Sequence, residues 1–342
     1  MDKKITAKEL ARILNISPAA VSYALRGKPG VSLETRNLIK EAADKYGLTY
    51  VPLNYSDYES HSIHLLQFER YAQKIVNNTF DNSFYATLTN GILRTSKQYG
   101  YHVHMRTVSD SDELSNELSE LNNLDSVGII ILATEMHDTD FLPLAFCSKP
   151  VVLVDNKFRS SKINPVMINN LAGAYTATDY LCCKYHQMPG FLRARIPLTN
   201  FNERFEGYKN ALEAHGYSPV SAPILDVSIE PEPIQEEIQA LIASGCHLAR
   251  SYVADNDFLA VGAMRAFRAC GYRVPEDIAV VGFDDLNIAR FSEPALTTMH
   301  VPIEYMGTLA VKRLHEISRF PDTSDIPLKL MVNVNLVTRG SA

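Results

Sequence analysis

Residues 5–36 read ITAKELARILNISPAAVSYALRGKPGVSLETR, and their punctuation spells two short helices and the start of a third. Thr6 and Glu9 stand at capping-box spacing, in which a hydroxyl and a carboxylate satisfy the orphan amides of a helix start. Leu10, Ile13 and Leu14 follow at helical spacing, and Asn15 tolerates the left-handed backbone of a tight turn. Ser17-Pro18 opens a second helix as N-cap and first-turn proline, and Gly27 ends it. Ser32 caps a third helix that runs through Arg36, Ile39 and Ala43 and stops at Gly47. About three residues separate the first two helices, the connection of a helix-turn-helix. Ala11 is small where the second helix crosses it, and Val21 packs back into the angle.

Charge separates this reading from a three-helix cap with no nucleic-acid role. Residues 1–52 carry nine Lys/Arg against five Asp/Glu, net +4, and the remaining residues carry 24 against 34, net −10. A basic module on an acidic body is what attraction to phosphate requires.

Ile5-Thr-Ala-Lys-Glu-Leu-Ala-Arg12, Ser17-Pro-Ala-Ala-Val-Ser22 and Lys28-Pro-Gly-Val-Ser-Leu-Glu-Thr-Arg36 resemble the head of the LacI/GalR family of bacterial transcriptional regulators. The resemblance continues through Pro150-Val-Val-Leu-Val-Asp155, Asn202-Glu-Arg-Phe-Glu-Gly-Tyr208 and Asp255-Asn-Asp-Phe-Leu-Ala-Val-Gly262. Val274 to Asp285, Pro294-Ala-Leu-Thr-Thr298 and Leu336-Val-Thr-Arg339 extend it to the C-terminus. Ordered motifs over nearly the whole chain make the match specific.

The 342 residues leave room for a small head and a body with its own core or two. No apolar run approaches the roughly 18 residues of a membrane span; the strongest are Val127–Ala133 and Val151–Val154. The N-terminus is charged and then helical, unlike a signal peptide, and a cytoplasmic protein is expected, nucleoid-associated when bound to DNA. Five cysteines, Cys147, Cys182, Cys183, Cys246 and Cys270, are odd in number and lack Cys-x-x-Cys spacing, so reduced core thiols are expected, with no metal site and no cofactor.

The expected organisation is a helix-turn-helix domain over 1–52, a polar linker over 53–62 and an effector-binding and dimerisation body over 63–342. In the body, strand candidates are Ile63–Phe68, Tyr101–Arg106, Val127–Leu132, Val151–Val154, Val166–Asn169, Ser251–Ala254 and Ile278–Phe283. Helix candidates are Ala86–Tyr99, Leu114–Leu121, Ala172–Tyr185, Arg204–His215, Ile234–Ala243, Phe258–Cys270 and Ile303–Ile317, and Gly100, Gly216 and Gly271 each follow one where a left-handed cap belongs. The alternation argues α/β with parallel sheets. Periodicity does not distinguish one sheet from two. The resemblance implies an all-α helix-turn-helix head and an α/β body of two Rossmann-like lobes like those of periplasmic sugar-binding proteins, with chain crossovers near 160–165, 290–300 and 320–330. Residues 186–202 depart from the family pattern, and only Phe191-Leu192 offers a strand there.

A second helix laid in the major groove presents its N-terminal residues to base edges. By motif position these are Pro18, Ala19, Ser22 and Tyr23. Family members often carry larger polar residues at the first two positions and arginine at the place of Tyr23. Alanine only touches a thymine methyl and tyrosine makes one polar contact, so less reliance on guanine is expected. Thr6, Ser17, Ser22, Lys28, Ser32, Thr35 and Tyr50 are read as phosphate and orientation contacts, or as caps only. One such module spans too few base pairs for specificity alone, so a homodimer on a palindromic double-stranded operator is expected. The family's minor-groove hinge, an Ala-Arg-x-x-Leu stretch after Tyr-x-Pro, is missing: Tyr50-Val-Pro52 leads into LNYSDYES. Either Leu53 or Tyr55 substitutes as the wedge, or there is no insertion.

For the body, the resemblance implies a small-molecule effector in the cleft between lobes. Motif matching gives Arg204 as the guanidinium that fixes ligand oxygens, with Asn256 and Asp284 as amide and carboxylate or as strand-end caps. Asp155 and Asn169 end strands, Glu135 follows the Ile130–Thr134 run, and Phe84 either stacks on a sugar ring or packs in the core. Arg with Asp and Asn suits neighbouring hydroxyls, which favours a carbohydrate. Cleft closure is expected to alter the placement of the two heads, so DNA and effector are reciprocally coupled. Three rivals stand against this. An enzyme would need a nucleophile–base signature, metal spacing or phosphate loop, and Asp284-Asp285, Glu203, His215 and His102-x-His104 form none. A secreted sugar-binding protein would carry a signal peptide and no head. A regulator with a degenerate cleft would answer to a protein partner.

Overall fold

The computed structural model describes residues 5–26, 31, 33–49, 61–71, 83–157, 163–229, 231–320 and 326–342. Gly27, Lys28, Ser32, Tyr50 and the wedge candidates Leu53 and Tyr55 lie outside the described residues. The chain divides into two compact units, one within the first 62 residues together with 124–127, the other the remainder.

The first unit holds α1 (Ala7–Leu14), α2 (Pro18–Leu25) and α3 (Leu33–Tyr46). The capping box forms in both directions: Glu9 accepts from the Thr6 amide at 2.7 Å, and Thr6 Oγ1 accepts from the Glu9 amide at 3.3 Å. Asn15 takes φ 54° and ψ 41°, the left-handed geometry that ends α1 within one residue. Ser17 Oγ accepts from the Ala20 amide at 3.1 Å and opens α2. Leu10, Ala11, Val21, Ala24, Ile39 and Ala42 make the core. Ile13 departs from the expected apolar face: it lies at the stripe's margin, 53% exposed.

The second unit contains two six-stranded sheets, and each has its own set of helices. The first sheet uses β1 (Ser62–Phe68), β2 (His102–Val108), β3 (Gly128–Leu132), β4 (Val151–Val154), β5 (Asn164–Ile168) and β11 (Leu330–Val332), in the order β11-β5-β4-β3-β1-β2. The second uses β6 (Gly190–Ala194), β7 (Ile224–Val227), β8 (Ser251–Ala254), β9 (Ala279–Asp284), β10 (Thr297–His300) and β12 (Asn335–Val337), in the order β12-β10-β9-β8-β6-β7. The central pairs are parallel, and β12 returns antiparallel to β10. Fully buried runs such as Ile129–Leu132 and Val152–Val154 are what strands covered on both faces require.

The helices are α4 (Ser83–Gln98), α5 (Ser111–Asn122), α6 (Asn170–Tyr185), α7 (Thr199–Ala214), α8 (Pro231–Ala243), α9 (Asp257–Ala269), α10 (Asn287–Phe291) and α11 (Ile303–Arg319). Gly91 and Gly307 let α4 and α11 touch backbone to backbone; a Cβ on Gly91 would meet the Glu304 carbonyl oxygen at 2.1 Å. No helix among the described residues is long and apolar enough to cross a membrane.

Several elements differ from expectation. Strands β7, β10, β11 and β12 have three or four residues each, too few to show a period against their loops. The Phe191-Leu192 pair does supply a strand, β6, because both side chains are completely buried. The chain passes between sheets at Asn169, at 301–302 and at 333–334, somewhat later than 160–165, 290–300 and 320–330. The cause of the first shift is β5, whose strand starts at Asn164 and stays with the first sheet.

Candidate effector cleft and DNA-reading head

In the first unit, capping geometry decides which side chains face outward. Pro18 and Ala19 in the first turn of α2 are exposed, Ser22 is half-buried and Tyr23 is 48% exposed. Val21 and Ala24 point the other way, into the core. Three of the four residues singled out as base readers are thus exposed, with Ser22 half-buried beside them. The hydroxyls are occupied: Thr6 donates to Glu9 at 2.9 Å and Ser17 holds its cap bond. Thr35 is half-buried near the start of α3.

In the second unit, a cleft opens at the carboxyl ends of the strands of both sheets, where open α/β sheets bind ligands. The first lobe lines it with Phe84 and Tyr85 from the start of α4, Thr134 beyond β3 and Asp155 beyond β4. The second lobe supplies Leu198, Asn200, Phe201 and Arg204 around the start of α7, Ile229, Asn256 and Asp284.

Arg204 is the centre of this arrangement. It is 3% exposed, and its guanidinium lies 3.8 Å from the Phe283 ring centroid. Nε donates to Asn170 Oδ1 at 2.9 Å, Nη1 to the Asp255 carbonyl at 2.5 Å and Nη2 to Asp284 Oδ1 at 3.0 Å. Three of the five N–H donors of an arginine are thus committed to orientation. Asn170 is itself held, donating to Asn200 Oδ1 at 3.1 Å and to Glu203 at 3.0 Å. Asn200 donates across the cleft to the Asp155 carbonyl at 3.2 Å, and a Lys157–Glu203 ion pair makes a second link between lobes.

The carboxyl groups around Arg204 outnumber it. Asp155, Asp255, Asp257 and Asp284 are all buried. Burial pushes Asp155 up to about 7, Asp255 to about 8 and Asp284 to about 6, because a desolvated carboxylate loses its hydration. Burial also raises Asp257, with the Asp284 charge adding to it. Asp257 has two partners, Thr298 at 2.5 Å and the Leu286 amide at 2.7 Å. Asp155 accepts from Thr134 at 2.7 Å through one oxygen, while its other, Oδ1, is buried with no partner. A buried acceptor left open at a cleft wall is an invitation to a donor. Asp155 and Asp284 both reach the cleft with left-handed backbone, at φ 66° and 108°. Such strain persists where the surroundings over-determine it, and it gathers at functional sites.

The structure brings together Phe84, Asp155, Arg204, Asn256 and Asp284. Asn256 is also the N-cap of α9, accepting from Leu259 N at 2.9 Å, so its two readings coincide. Phe84 is half-buried at the cleft and meets Tyr85 edge-on.

Two expected residues fall elsewhere. Asn169 N-caps α6, accepting from Ala172 N at 3.3 Å and donating to Asn333; the cap turns its side chain away from the cleft, and its neighbour Asn170 takes the place beside Arg204. Glu135 is completely buried behind the wall, accepting from the Tyr71 amide at 2.6 Å and from the Tyr85 hydroxyl at 3.3 Å. It positions a cleft residue without lining the cleft. The sequence reading missed Asn170, Asn200, Asp255 and Thr134. Asn200 lies two residues before the Asn202–Tyr208 motif, Asp255 opens the Asp255–Gly262 motif, and Asn170 and Thr134 adjoin the named Asn169 and Glu135, so each had a signal within reach.

A periplasmic-binding-protein-like body on a helix-turn-helix head defines a ligand-responsive DNA-binding regulator, and the comparisons agree. Residues 178–342 match the periplasmic binding protein-like domain. The chain is 26% identical to the probable HTH-type transcriptional repressor ExuR of Bacillus subtilis, covering 98% of each, and 28% identical to the ribose operon repressor of Escherichia coli, covering 98% of this chain and 99% of that one. Among solved structures, the transcriptional regulator CelR–cellobiose complex superposes with a TM-score of 0.71 at 24% identity, over 99% of this chain and 100% of the other. The lac repressor dimer bound to operator and the anti-inducer ONPF gives 0.72 at 21%, over 99% of each. Over nearly its whole length the chain is thus similar to LacI-type transcriptional repressors, and its fold is theirs.

Proposed function

We propose that this regulator binds a palindromic operator as a homodimer and is switched by a neutral, polyhydroxylated effector of the carbohydrate class, held between the lobes. In this reading residues 1–52 are the reading head, 53–62 the linker and 63–342 the effector-binding and dimerisation body. Pro18, Ala19, Ser22 and Tyr23 face the bases of the major groove, and Thr6, Ser17, Lys28, Ser32, Thr35 and Tyr50 orient the head on phosphates. It acts in the cytoplasm, on the nucleoid when DNA-bound. Arg204 and Asp284 clamp adjacent hydroxyls, Asn256 adds an amide, Phe84 covers the ring and Asp155 takes a hydroxyl from the opposite lobe.

The observation that carries the proposal is an Asp155 oxygen without a hydrogen-bond partner in the same cleft as a guanidinium already bound on three sides. A ligand rich in hydroxyl donors satisfies the carboxylates. An anionic ligand meets two carboxyls, Asp155 and Asp284, lining the cleft with one arginine. Each charge-assisted bond to a hydroxyl contributes about 1.5–3 kcal/mol. Because the effector touches both lobes, it favours the closed arrangement and so has the differential affinity a switch needs.

Calorimetry of the full chain with a panel of neutral sugars and uronic acids tests the reading, paired with operator affinity at fixed salt. Binding of a neutral sugar that also changes operator affinity is the expected result. Tight binding of a uronate in preference to every neutral sugar, or no change in operator affinity with a cleft-bound ligand, defeats it.

A further inference from the structure

Far from the cleft, the second lobe gathers a set of donor atoms that neither function uses. Asp179 and Cys183 stand four residues apart on α6, hence on one helical face. His215 is the C-cap of α7, fixed there by its amide bonding back to the Ala211 carbonyl at 3.1 Å. Asp179 Oδ1 lies 2.7 Å from His215 Nε2 and 3.9 Å from Cys183 Sγ, and the three donor atoms all fall within 4.8 Å of one another. It is the one such grouping of three among the described residues. The adjacent Cys182 does not take part: it is 3% exposed and turned into the core.

We propose that Asp179, Cys183 and His215 bind a zinc-class divalent transition metal through one oxygen, one sulfur and one nitrogen, with the fourth position open to solvent. That donor set is borderline-soft, which suits Zn²⁺ and excludes the all-oxygen preference of Mg²⁺ and Ca²⁺. Tetrahedral zinc places its ligand atoms roughly 3.3–3.7 Å apart, given bonds of about 2.0–2.3 Å. The Asp179–His215 contact therefore opens, and the Asp179–Cys183 contact closes, each by less than about 1 Å. Cys183 lies in the last turn of α6 and His215 at the end of α7, where helix carbonyls carry partial negative charge and favour a cation.

The placement gives the metal a structural consequence. Both helices begin at the cleft, with Asn170 on α6 and Asn200 and Arg204 on α7, and both end at the cluster. Gly207 holds them in backbone contact, since a Cβ there would meet the Leu171 carbonyl oxygen at 2.1 Å. A metal at the far ends staples the helix pair that positions Arg204.

The test is Co²⁺ titration of the full-length, reduced protein, followed by displacement with Zn²⁺. The expected result is one Co²⁺ per chain with a thiolate-to-cobalt charge-transfer band. Cys183→Ser abolishes the band, Cys182→Ala keeps it, and His215→Ala and Asp179→Ala each weaken binding at least about tenfold. Cys183 is exposed, so Cys183→Ser keeps the parent melting transition. A band that survives Cys183→Ser or is lost only in Cys182→Ala overturns the proposal. So does the absence of a band, or affinity unchanged in His215→Ala.

Discussion

The two lobes share a sheet architecture and divide the work of the cleft unequally. In the second lobe Arg204, Asn170, Asn200, Asp255 and Asp284 are knitted into one hydrogen-bonded assembly. The first lobe offers less: an aromatic pair, a threonine and Asp155, one of whose oxygens is unsatisfied. On the proposed reading one lobe is a pre-organised half-site and the other a closing face; Asn200 and Lys157–Glu203 join them. Pre-organisation reduces the ordering cost of binding, and an unfinished face makes closure depend on ligand.

Removing the guanidinium breaks this asymmetry most severely. Arg204→Met strands buried carboxyls without their cation, and losing one partner of such a pair costs about 3–5 kcal/mol. Effector binding falls at least about 100-fold by calorimetry, and the melting temperature drops. Binding retained within threefold would show that the ligand is held mainly by the first lobe.

Gly207→Ala and Gly91→Ala form a matched pair, one in each lobe. Each inserts a methyl group 2.1 Å from a carbonyl oxygen of a packed helix. Overpacking of this kind costs typically about 1–3 kcal/mol in either place, read from denaturant midpoints. Only Gly207→Ala should weaken the effector by more than the stability loss predicts, since it displaces α6 and α7 together. Equal loss of effector affinity from Gly91→Ala would erase the distinction between lobes.

A smaller effect is expected in the head. On the proposed reading Tyr23→Ala removes one polar base contact, about 0.5–1.5 kcal/mol, while leaving the Leu10–Val21–Ile39 core intact. Specific operator affinity in electrophoretic titration should fall while non-specific affinity and its salt slope hold. A parallel fall in both would assign Tyr23 to phosphate contact.

Legibility followed locality. The head was readable because a capping box, a left-handed asparagine and a Ser-Pro start are local events within a few residues. Arg204, Asn256 and Asp284 were found through motif position, and the structure adds that they share one cleft. Asn169 misled because a strand-end polar residue and a helix cap look alike in sequence; only the extent of β5 separates them. Glu135 misled for the converse reason, since its run is apolar and its burial comes from Tyr71 and Tyr85, distant in the chain. The Asp179–Cys183–His215 group was invisible because the cysteine's apparent partner, Cys182, is its neighbour in sequence and faces the core.

The finest test of the unfinished face is pH. Burial holds Asp155 near 7, so at pH 6 it is mostly protonated. A ligand hydroxyl donating to Asp155 favours the carboxylate, lowers its pKa and expels a proton on binding. Effector affinity should therefore rise with pH up to about 7 and level off above it, changing at most about tenfold per unit. Asp284, near 6, steepens the fall below that value. Without ligand the linkage has the opposite sign. These aspartates release protons near 3.9 when unfolded and only at about 6–8 when folded, so their contribution to stability is present at low pH and lost as pH rises through that range. Asp155→Asn should flatten the affinity profile between pH 6 and 8 and reduce the decline in melting temperature. An affinity profile equally steep in Asp155→Asn would move the titrating group to the pre-organised lobe, leaving the first lobe as a passive cover.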